Sequence, residues 1–381
     1  MGEKNTLSKL KELGSIDIKD IGKLFNKDNL KKESFNMEPK NIIKKPTKQR
    51  SNLVLAIDLG NNSIKMVEGR VDKGSISINK LVKTKIREGI IGDGNIISKM
   101  ELEVILRNTI IDNNIKAKDV IITTNSSSII NRDILIPVVR EEELDTVIRY
   151  EVQQYLPINL DDYVVQFLVL DKVEESDGEK LKINVTAFPQ RIALSYYNLI
   201  NSLELNPYAL DVNYNSITKF SNYIENIKVN LEKSTAAFVD MGATTINVSI
   251  LKNSKLDFTR LIKIGGDNID YALSQNSNMS IKATEDITKE DLNNSFIREI
   301  LDELVIELER IFQFYKNKSQ NNIDKIYIYG GVSYIDELDK YLQERLSIEV
   351  NKLIDFKNIK IKQDSEDISI YLNAIGSIIR L

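Results

Sequence analysis

The sequence predicts an α/β protein made of two related lobes that face each other across a cleft. An apolar run, a polar turn with the pattern Asp-x-Gly and a second apolar run follow one another in 53–68, as expected for a β-hairpin. The same pattern returns in 236–249 with matching length and polarity. The chain of 381 residues also exceeds what one hydrophobic core usually organises. Two lobes, each presenting one hairpin to a shared cleft, account for all three observations.

The tip of the first hairpin combines residue types that suit a bound phosphate group. Its candidate cofactor-binding residues are small, polar or charged: Asp58, Gly60, Asn61, Asn62, Ser63 and Lys65. The glycine permits a tight turn, the turn offers backbone N–H groups and polar side chains, and the lysine follows on the outgoing strand. A single turn of this kind is more often only a turn, but two matched copies favour phosphate binding.

The second hairpin supplies matching candidates from the other lobe, namely Asp240, Gly242, Ala243, Thr244 and Thr245. One carboxylate stands at the same place in each hairpin, so Asp58 and Asp240 are predicted to hold Mg²⁺. The contact would run through water, because Mg²⁺ gives up its hydration shell reluctantly.

Two glycine pairs complete the predicted site. Gly265, Gly266 and Asp267 open a predicted helix after the second hairpin, and Gly330, Gly331 and Val332 follow a predicted strand. A strand, a Gly-Gly turn and a helix N-terminus form a good cradle for a base or a phosphate. Tight packing of a helix on a sheet explains such a pair equally well when it is considered alone.

The composition excludes several kinds of chemistry. With no Cys and no His, the chain has neither disulfides nor a Cys/His zinc site, and histidine-based catalysis is excluded. No apolar run is long enough to span a membrane, so we expect a cytoplasmic protein. No residue stands out as a water-activating base. Gln190, Asp240 and Thr244 are the candidates, and the catalytic residues stay unassigned.

Charge and the order of elements suggest a division into domains. Residues 1–50 are rich in Lys and Arg, with apolar residues spaced like short amphipathic helices. We expect them to form a flexible basic extension, with a partner-binding or membrane-surface helix as the alternative. The expected units are lobe I at 51–83 and 171–230, an inserted αβ unit at 84–170, and lobe II at 231–381 with a smaller unit at about 265–322.

The inserted unit is the predicted partner-binding module. It includes a predicted helix over 141–156 with more apolar surface than one small sheet needs to cover. Tyr150 and Tyr155 add aromatic groups of the kind enriched where proteins meet. Nucleic-acid binding is not expected, because basic and acidic residues are interspersed in the basic extension.

The order of these motifs resembles the superfamily of actin, Hsp70 and the sugar kinases, and within it the PilM family of type IV pilus assembly proteins. The matching segments lie between the hairpins and at the end of the chain: 90–93, 120–137, 143–157, 186–189, 210–212 and 371–376. The resemblance covers about 51–381. It implies an actin-like (ribonuclease H-like) two-lobed ATPase fold with an inserted αβ subdomain in lobe I.

The same resemblance implies cofactors and partners. ATP with Mg²⁺ would bind between the lobes, with Glu285 near the adenosine. The partner would be the short cytoplasmic N-terminus of a PilN-like inner-membrane protein, bound in a groove between the inserted unit and lobe I. The protein would then sit at the inner face of the plasma membrane, with only indirect membrane association. Pilus ATPases and self-association stay open as further partners.

Three functions are compatible with these motifs. We favour a nucleotide-binding scaffold for pilus assembly, with weak or absent ATP hydrolysis, because Thr288 stands where the family often has a lysine. A small-molecule kinase of the same fold would need an acidic base in lobe I beside a substrate pocket, where 84–170 predicts a compact αβ unit instead. A cell-division tether similar to FtsA would need an amphipathic membrane helix, and residues 7–25 leave that alternative open.

Overall fold

The computed structural model describes residues 53–72, 74–155, 159–176, 178–274, 287–288, 291–362 and 367–380. The basic extension predicted at 1–50 and the predicted adenosine contact Glu285 lie outside the described residues. Among the residues described, no helix is both long and apolar enough to cross a membrane.

Strands and helices alternate along the described chain. The strands are β1 (Val54–Leu59), β2 (Ser63–Asp72), β3 (Ser75–Lys85), β4 (Ile91–Gly92), β5 (Asn95–Ile96), β6 (Asp119–Thr124), β7 (Ile130–Pro137), β8 (Tyr163–Glu175), β9 (Gly178–Pro189), β10 (Asn206–Val212), β11 (Thr235–Met241), β12 (Ile246–Lys252), β13 (Lys255–Ile262), β14 (Lys325–Tyr329), β15 (Glu349–Lys352) and β16 (Ile359–Ile361). The α-helices are α1 (Lys99–Asp112), α2 (Leu144–Tyr155), α3 (Gln190–Ser202), α4 (Asn213–Tyr223), α5 (Glu225–Leu231), α6 (Gly266–Ser274), α7 (Ser295–Ser319), α8 (Leu338–Leu346) and α9 (Leu372–Ile378).

Two large sheets form the two lobes. The strand order is β10-β6-β1-β2-β3-β16 in the first lobe and β13-β12-β11-β14-β15 in the second. In each lobe, the strand that leads to the Asp-x-Gly turn pairs antiparallel with the next strand and parallel with a later one. The predicted α/β architecture with two related lobes is confirmed.

The turns of the two hairpins have the same length and register. Asp58 stands opposite Lys65 across β1 and β2, and Asp240 stands opposite Asn247 across β11 and β12. The internal repeat is therefore a repeat of structure, but the lysine of the first copy is an asparagine in the second. Asn247 accepts a hydrogen bond from Asn125, which follows β6, and so links the two lobes.

Helices α4 and α9 lie between the two sheets. One core cluster contains residues from both sheets and from both helices, among them Ala56, Phe220, Phe238 and Ile375. The helices approach so closely that a Cβ added to Gly376 of α9 would overlap the carbonyl oxygen of Ser216 in α4. This close crossing fixes how the two lobes are joined.

A third, smaller sheet forms the inserted unit. Its strand order is β7-β9-β8, and α2 covers one face with Leu144, Ile148 and Val152. The predicted helix is present, but its apolar stripe packs on its own sheet. The expectation of surplus apolar surface on this helix is therefore wrong for the buried stripe, although Tyr150 and Tyr155 are 66% and 71% exposed.

The sheet memberships change the predicted domain boundaries. Strand β6 and helix α1 fall in the range 84–170, yet they belong to the sheet and core of the first lobe. Strand β9, expected in lobe I, is the central strand of the small sheet. The end of the chain, expected in lobe II, returns to the first lobe, because β16 pairs with β3 and α9 packs on β1 and β2. Backbone pairing between distant segments causes these differences, and we propose 130–189 as the inserted unit.

The smaller unit expected at about 265–322 corresponds to α6 and α7. Both helices share one core cluster with the second sheet, through residues such as Ile269 of α6 and Leu308 of α7. In the described part of the chain they therefore pack as a layer of the second lobe.

Gly376→Ala tests the crossing of α4 and α9. The added methyl group would meet the Ser216 carbonyl, which cannot move without shifting α4, so we expect the free energy of unfolding to fall by about 1–3 kcal/mol. Gly331→Ala is the matched control, because a Cβ there has no heavy atom within 4 Å. It should change stability by less than about 0.5 kcal/mol. Urea unfolding measures both variants, and equal effects would contradict the close crossing.

Candidate functional site

The tips of the two hairpins meet in the folded chain. The side-chain amide of Asn61 donates to the Thr244 hydroxyl at 2.5 Å, and the amide of Asn62 donates to a carboxylate oxygen of Asp267. The structure thus brings together the first tip, the second tip and the start of α6 at the cleft between the lobes.

Each tip is a closed turn that leaves little room for side chains. A Cβ on Gly60 would lie 2.9 Å from the Ser63 carbonyl oxygen, and the Gly242 N–H donates to the Thr245 carbonyl at 3.1 Å. The Cβ on Gly60 would also lie 3.2 Å from Nζ of Lys65, so the ammonium group lies beside the first turn. A tight turn with a cation next to it is a suitable arrangement for an anion.

The carboxylates of the two Asp-x-Gly turns are buried near each other. Asp58 is 5% exposed and Asp240 is 8% exposed. Asn373, in the first turn of α9, donates from Nδ2 to Oδ2 of Asp240 at 2.8 Å. Lys65 stands opposite Asp58 in the hairpin and supplies the nearby positive charge.

Burial sets the charge state of these two groups. Removal from water raises the pKa of Asp58 to about 6, against the opposing effect of Lys65, and the neighbouring Asp240 adds to the rise. Burial also raises the pKa of Asp240, against hydrogen bonds from Asn373 and Asn213. Since ionisation of both carboxyl groups is unfavourable here, a cation between them would stabilise the site.

The donor set fits Mg²⁺. Asp58 and Asp240 offer carboxylate oxygens, which suit hard cations. Within the described ranges, no group of three or more Asp, Glu, His or Cys side chains is arranged to hold a metal ion. Two carboxylates do not enclose an ion, but they suffice for Mg²⁺ that keeps several waters and is shared with phosphate oxygens. Mg²⁺ together with a nucleotide therefore fits these residues.

Gly330 and Gly331 border the site on the side of the second lobe. Gly330 has a φ of +90°, and a Cβ there would lie 2.8 Å from Oδ1 of Asp240, so only glycine suits this position. A Cβ on Gly331 would meet nothing within 4 Å, which indicates open space. Val332, the third residue predicted in this segment, instead packs its side chain in the core of the second lobe.

The other glycine pair supports the second tip. The Gly266 N–H donates to the Gly242 carbonyl at 3.1 Å, and the Asp267 N–H donates to the Ala243 carbonyl at 2.8 Å. A Cβ on Gly265 would overlap that same Ala243 carbonyl oxygen. Tight packing therefore explains this pair, and the first N–H groups of α6 already have partners in the tip.

Two further predicted residues have local structural roles. The backbone N–H and the hydroxyl of Thr288 both donate to Oδ2 of Asp291 at 2.8 Å. Gln190 is the first residue of α3, is partly buried, and takes no part in the hydrogen bonds between the tips described above. The contacts of these two residues do not assign a catalytic role to either of them.

Two amides that the sequence patterns did not indicate lie beside the carboxylates. Asn213 and Asn373 lie in the first turns of the crossing helices α4 and α9. Asn373 donates a hydrogen bond to Asp240, and Asn213 acts with it against the rise in the Asp240 pKa that burial causes. Asn213 also accepts a hydrogen bond from Oγ1 of Thr123 at 3.0 Å. The sequence signal was a polar residue at the start of an apolar helix, which helix capping explains equally well.

A groove lies between the inserted unit and the two lobes. Its volume is about 260 Å³, and β8, β9, β10, the first turns of α4 and the turn between β12 and β13 border it. Strands β8 and β10 are each the outermost described strand of their sheet, so each presents an unpaired edge. Apolar side chains line the walls, among them Leu168, Leu170 and Leu256.

The first turn of α4 contacts both the cleft and the groove. Asn213 interacts with the Asp240 carboxylate and lowers its pKa, and the next residue, Tyr214, lines the groove. The Tyr214 hydroxyl lies 3.0 Å from Oγ1 of Thr186 in β9, and Asn131 in β7 donates to it at 3.3 Å. One turn of helix thus connects a carboxylate of the second lobe with the inserted sheet.

Comparisons with known proteins agree with this architecture. A family model described as "Type IV pilus assembly protein PilM" matches residues 56–380. A solved "PilM-PilN type IV pilus biogenesis complex" aligns with a TM-score of 0.71 and 18% identity, over 87% of this chain and 98% of that chain. At this identity the match shows the fold alone, and the predicted actin-like fold is confirmed.

Two further solved structures are more distant. The ethanolamine utilization protein EutJ from Carboxydothermus hydrogenoformans aligns with a TM-score of 0.47 and 12% identity, over 88% of this chain and 92% of that chain. MreB 5 of Spiroplasma citri, bound to AMPPNP, aligns with a TM-score of 0.43 and 13% identity, over 86% of this chain and 95% of that chain. Both scores are too low to support a functional inference.

Asp58→Asn tests the cost of the buried carboxylate. The Asp58 pKa is about 6 in the folded chain and near 3.8 without burial, so ionisation opposes folding increasingly from about pH 4 to pH 6 and fully above that. We expect the variant to be more stable than the wild type by about 1–3 kcal/mol at pH 7–8. The difference should vanish near about pH 4, below both pKa values.

Chemical unfolding across this pH range measures the effect. Asp72→Asn is the control, because a hydrogen bond from Arg70 lowers the pKa of the exposed Asp72, and the pH dependence should have the opposite sign. An Asp58→Asn variant that loses stability equally at every pH would contradict the assignment.

Proposed function

The chain belongs to the PilM family of type IV pilus assembly proteins, and on that premise we propose that it binds ATP–Mg²⁺ between its lobes and a PilN-like tail in its groove. The protein would act as an assembly scaffold whose groove receives the short N-terminus of an inner-membrane protein. Its location at the inner face of the plasma membrane would then come from this partner. The similar solved complex, which pairs PilM with PilN, supports this choice of partner.

The groove between the edges of β8 and β10 is the observation that carries the partner assignment. An extended segment in this groove would pair its backbone with an unpaired strand edge, as in β-strand addition. Alternate side chains of that segment point to opposite faces, so every second one would enter the apolar wall formed by Leu168, Leu170 and Leu256. The opposite face of the inserted sheet is covered by α2 and is not available.

The floor of the groove favours an uncharged segment. The Asp211 carboxylate accepts hydrogen bonds from the Val212 N–H, from Nδ2 of Asn215 and from the Lys219 ammonium group. Asp211 and Lys219 are both buried and neutralise each other. A charged side chain that approaches this pair would lose water without gaining a free counter-ion from it, which is costly.

The two hairpin tips support nucleotide binding. The backbone of both turns and Lys65 would contact the phosphates, and the oxygens of Asp58 and Asp240 would hold Mg²⁺ through water. Bound Mg²⁺ would neutralise part of the charge on the phosphates and the carboxylates. Asn61 and Thr244 would exchange their mutual hydrogen bond for bonds to phosphate oxygens, and the open space at Gly331 would accept the adenosine side.

Hydrolysis is expected to be weak or absent. The side chains that face Asp240 from the crossing helices are the amides of Asn213 and Asn373, and a neutral amide cannot act as a general base. Asp58 and Asp240 would be engaged with Mg²⁺. The family match favours neither the small-molecule kinase nor the FtsA-like tether.

Leu168→Asp tests the groove. A carboxylate on the β8 wall would face an apolar surface and repel the segment, so affinity for a synthetic peptide of the PilN-like N-terminus should fall at least about tenfold. Leu135→Asp is the matched control, because Leu135 is 43% exposed on β7, at the opposite edge of the same sheet. Fluorescence polarisation with labelled peptide measures both. Equal losses of affinity in the two variants would exclude the groove as the binding site. NMR amide shifts on peptide binding that are confined to residues after about 225 would exclude it as well.

Asp58→Ala tests the nucleotide site. Removing one of the two carboxylates should weaken Mg²⁺-dependent ATP binding by about tenfold or more, because ligand loss usually costs at least as much as loss of an outer hydrogen-bond partner. Calorimetry with ATP in MgCl₂ and in EDTA separates the metal-dependent part. The site assignment would be wrong if the variant bound ATP–Mg²⁺ as tightly as the wild type.

A further inference from the structure

Helix α1 is apolar on two opposite faces. Its inner face carries Leu102 and Leu106, which are buried in the core of the first lobe. Its outer face and the residue two positions before the helix carry four large apolar side chains, here called the outer stripe: Ile97, Met100, Val104 and Ile111. The three within the helix lie within about 40° of one another around its axis. All four side chains are between 57% and 84% exposed. A helix that is apolar on all sides is normally buried, so the outer stripe is expected to have a cover.

The outer stripe lies away from the cleft and the groove. Alternate residues of β1 face opposite sides of the first sheet, so that Ile57 packs in the cluster that contains α1 residues and Ala56 packs in the layer of α4 and α9. Helix α1 therefore covers the side of this sheet that faces away from the second lobe. The described residues that line the groove include none from α1. Neither the nucleotide nor the tail of the proposed function would cover the outer stripe.

The segment that precedes the described residues joins them close to the end of α1. The start of β1 pairs with the start of β6, and only a short loop separates β6 from the end of α1. Leu53, the first described residue, packs on the same core cluster as Ile110 of α1 and Ile115 of that loop. The helical part of the outer stripe is about 17 Å long. Residues 26–52 would span several times that distance when extended, so residues before them can reach every part of the stripe.

The basic extension carries an apolar pattern that matches the outer stripe. Ile18, Ile21 and Phe25 follow one another in steps of three and four residues, as do the first three residues of the stripe. A helix this short is stable mainly when its apolar side is packed against something. Residues 1–50 hold 13 Lys and Arg against 7 Asp and Glu, whereas the rest of the chain holds 39 against 49. The opposite net charges favour contact between the two parts.

We propose that segment 7–25 of this chain docks on the outer stripe of α1, with Ile18, Ile21 and Phe25 as its contact residues. The segment is tethered close to the end of α1, and tethering makes the contact within one chain more favourable than the same contact between chains. Docking would place the apolar side of the segment against the first lobe, where neither a membrane nor another protein can bind it. This inference is independent of the proposed nucleotide and tail sites.

Cross-linking tests the contact in the full chain, which has no cysteine of its own. Gly22→Cys with Asn108→Cys places one thiol next to Ile21 and one on α1 between Val104 and Ile111, and removes no apolar side chain. Gly22→Cys with Asn317→Cys is the matched control, because Asn108 and Asn317 are both exposed helical asparagines and Asn317 lies on α7 in the second lobe. A short bis-maleimide should cross-link the first pair within one chain in several-fold higher yield than the second.

Ile111→Asp, added to the first cysteine pair, tests whether the outer stripe makes the contact. A carboxylate in the stripe would have to lose water when the segment docks, so the yield should fall to that of the control pair. Ile354→Asp is the matched control, because Ile354 is also an exposed isoleucine and lies outside the stripe, after β15. It should leave the yield of the first pair unchanged.

Four results would overturn the inference. Equal yields from the two cysteine pairs would show that the segment does not dock. Cross-links formed only between chains would assign the outer stripe to a second copy of the protein. Equal yields in Ile111→Asp and Ile354→Asp would show that the segment contacts another surface. A yield at the control level, together with sedimentation of the full chain on phosphatidylserine vesicles, would assign the segment to a membrane surface.

Discussion

The crossing of α4 and α9 between the two sheets is the contact on which the rest of the structure depends. Because Gly376 has no side chain, the backbones of the two helices touch, and both fit into the layer between the sheets. The first turns of both helices lie at the cleft, where Asn213 and Asn373 interact with the Asp240 carboxylate. The same layer holds the core cluster that joins the lobes, so packing and site geometry share one origin.

The site uses groups that weaken a fold. Two buried carboxylates, a glycine with positive φ and backbone turns too tight for side chains come together at the cleft. Such local violations of the usual rules concentrate where a protein binds something, because binding is what stabilises them. The inserted sheet contrasts with this, since α2 covers its apolar face in the ordinary way and leaves the strand edges for the partner.

The sequence predicted what is encoded locally. The two hairpins follow from short patterns of apolar strands and polar turns, and their equal register confirms the repeat. The boundaries of the inserted unit did not follow, because the partners of β6, β9 and β16 are distant in the chain and no local pattern specifies them. The roles of Gly265 and Asn373 were hidden for the same reason. Each depends on a contact with another segment, with Ala243 in one case and with Asp240 in the other.

The first turn of α4 lies between the cleft and the groove. Asn213 lies beside Asp240 in the proposed nucleotide cleft, and the adjacent Tyr214 forms part of the groove and contacts the inserted sheet. Two ligands that each displace this turn are thermodynamically linked. Whatever factor ATP applies to the affinity for the tail, the tail must apply to the affinity for ATP. In the proposed function, membrane-bound tails at high local density would then act as effectors of nucleotide occupancy without any need for hydrolysis.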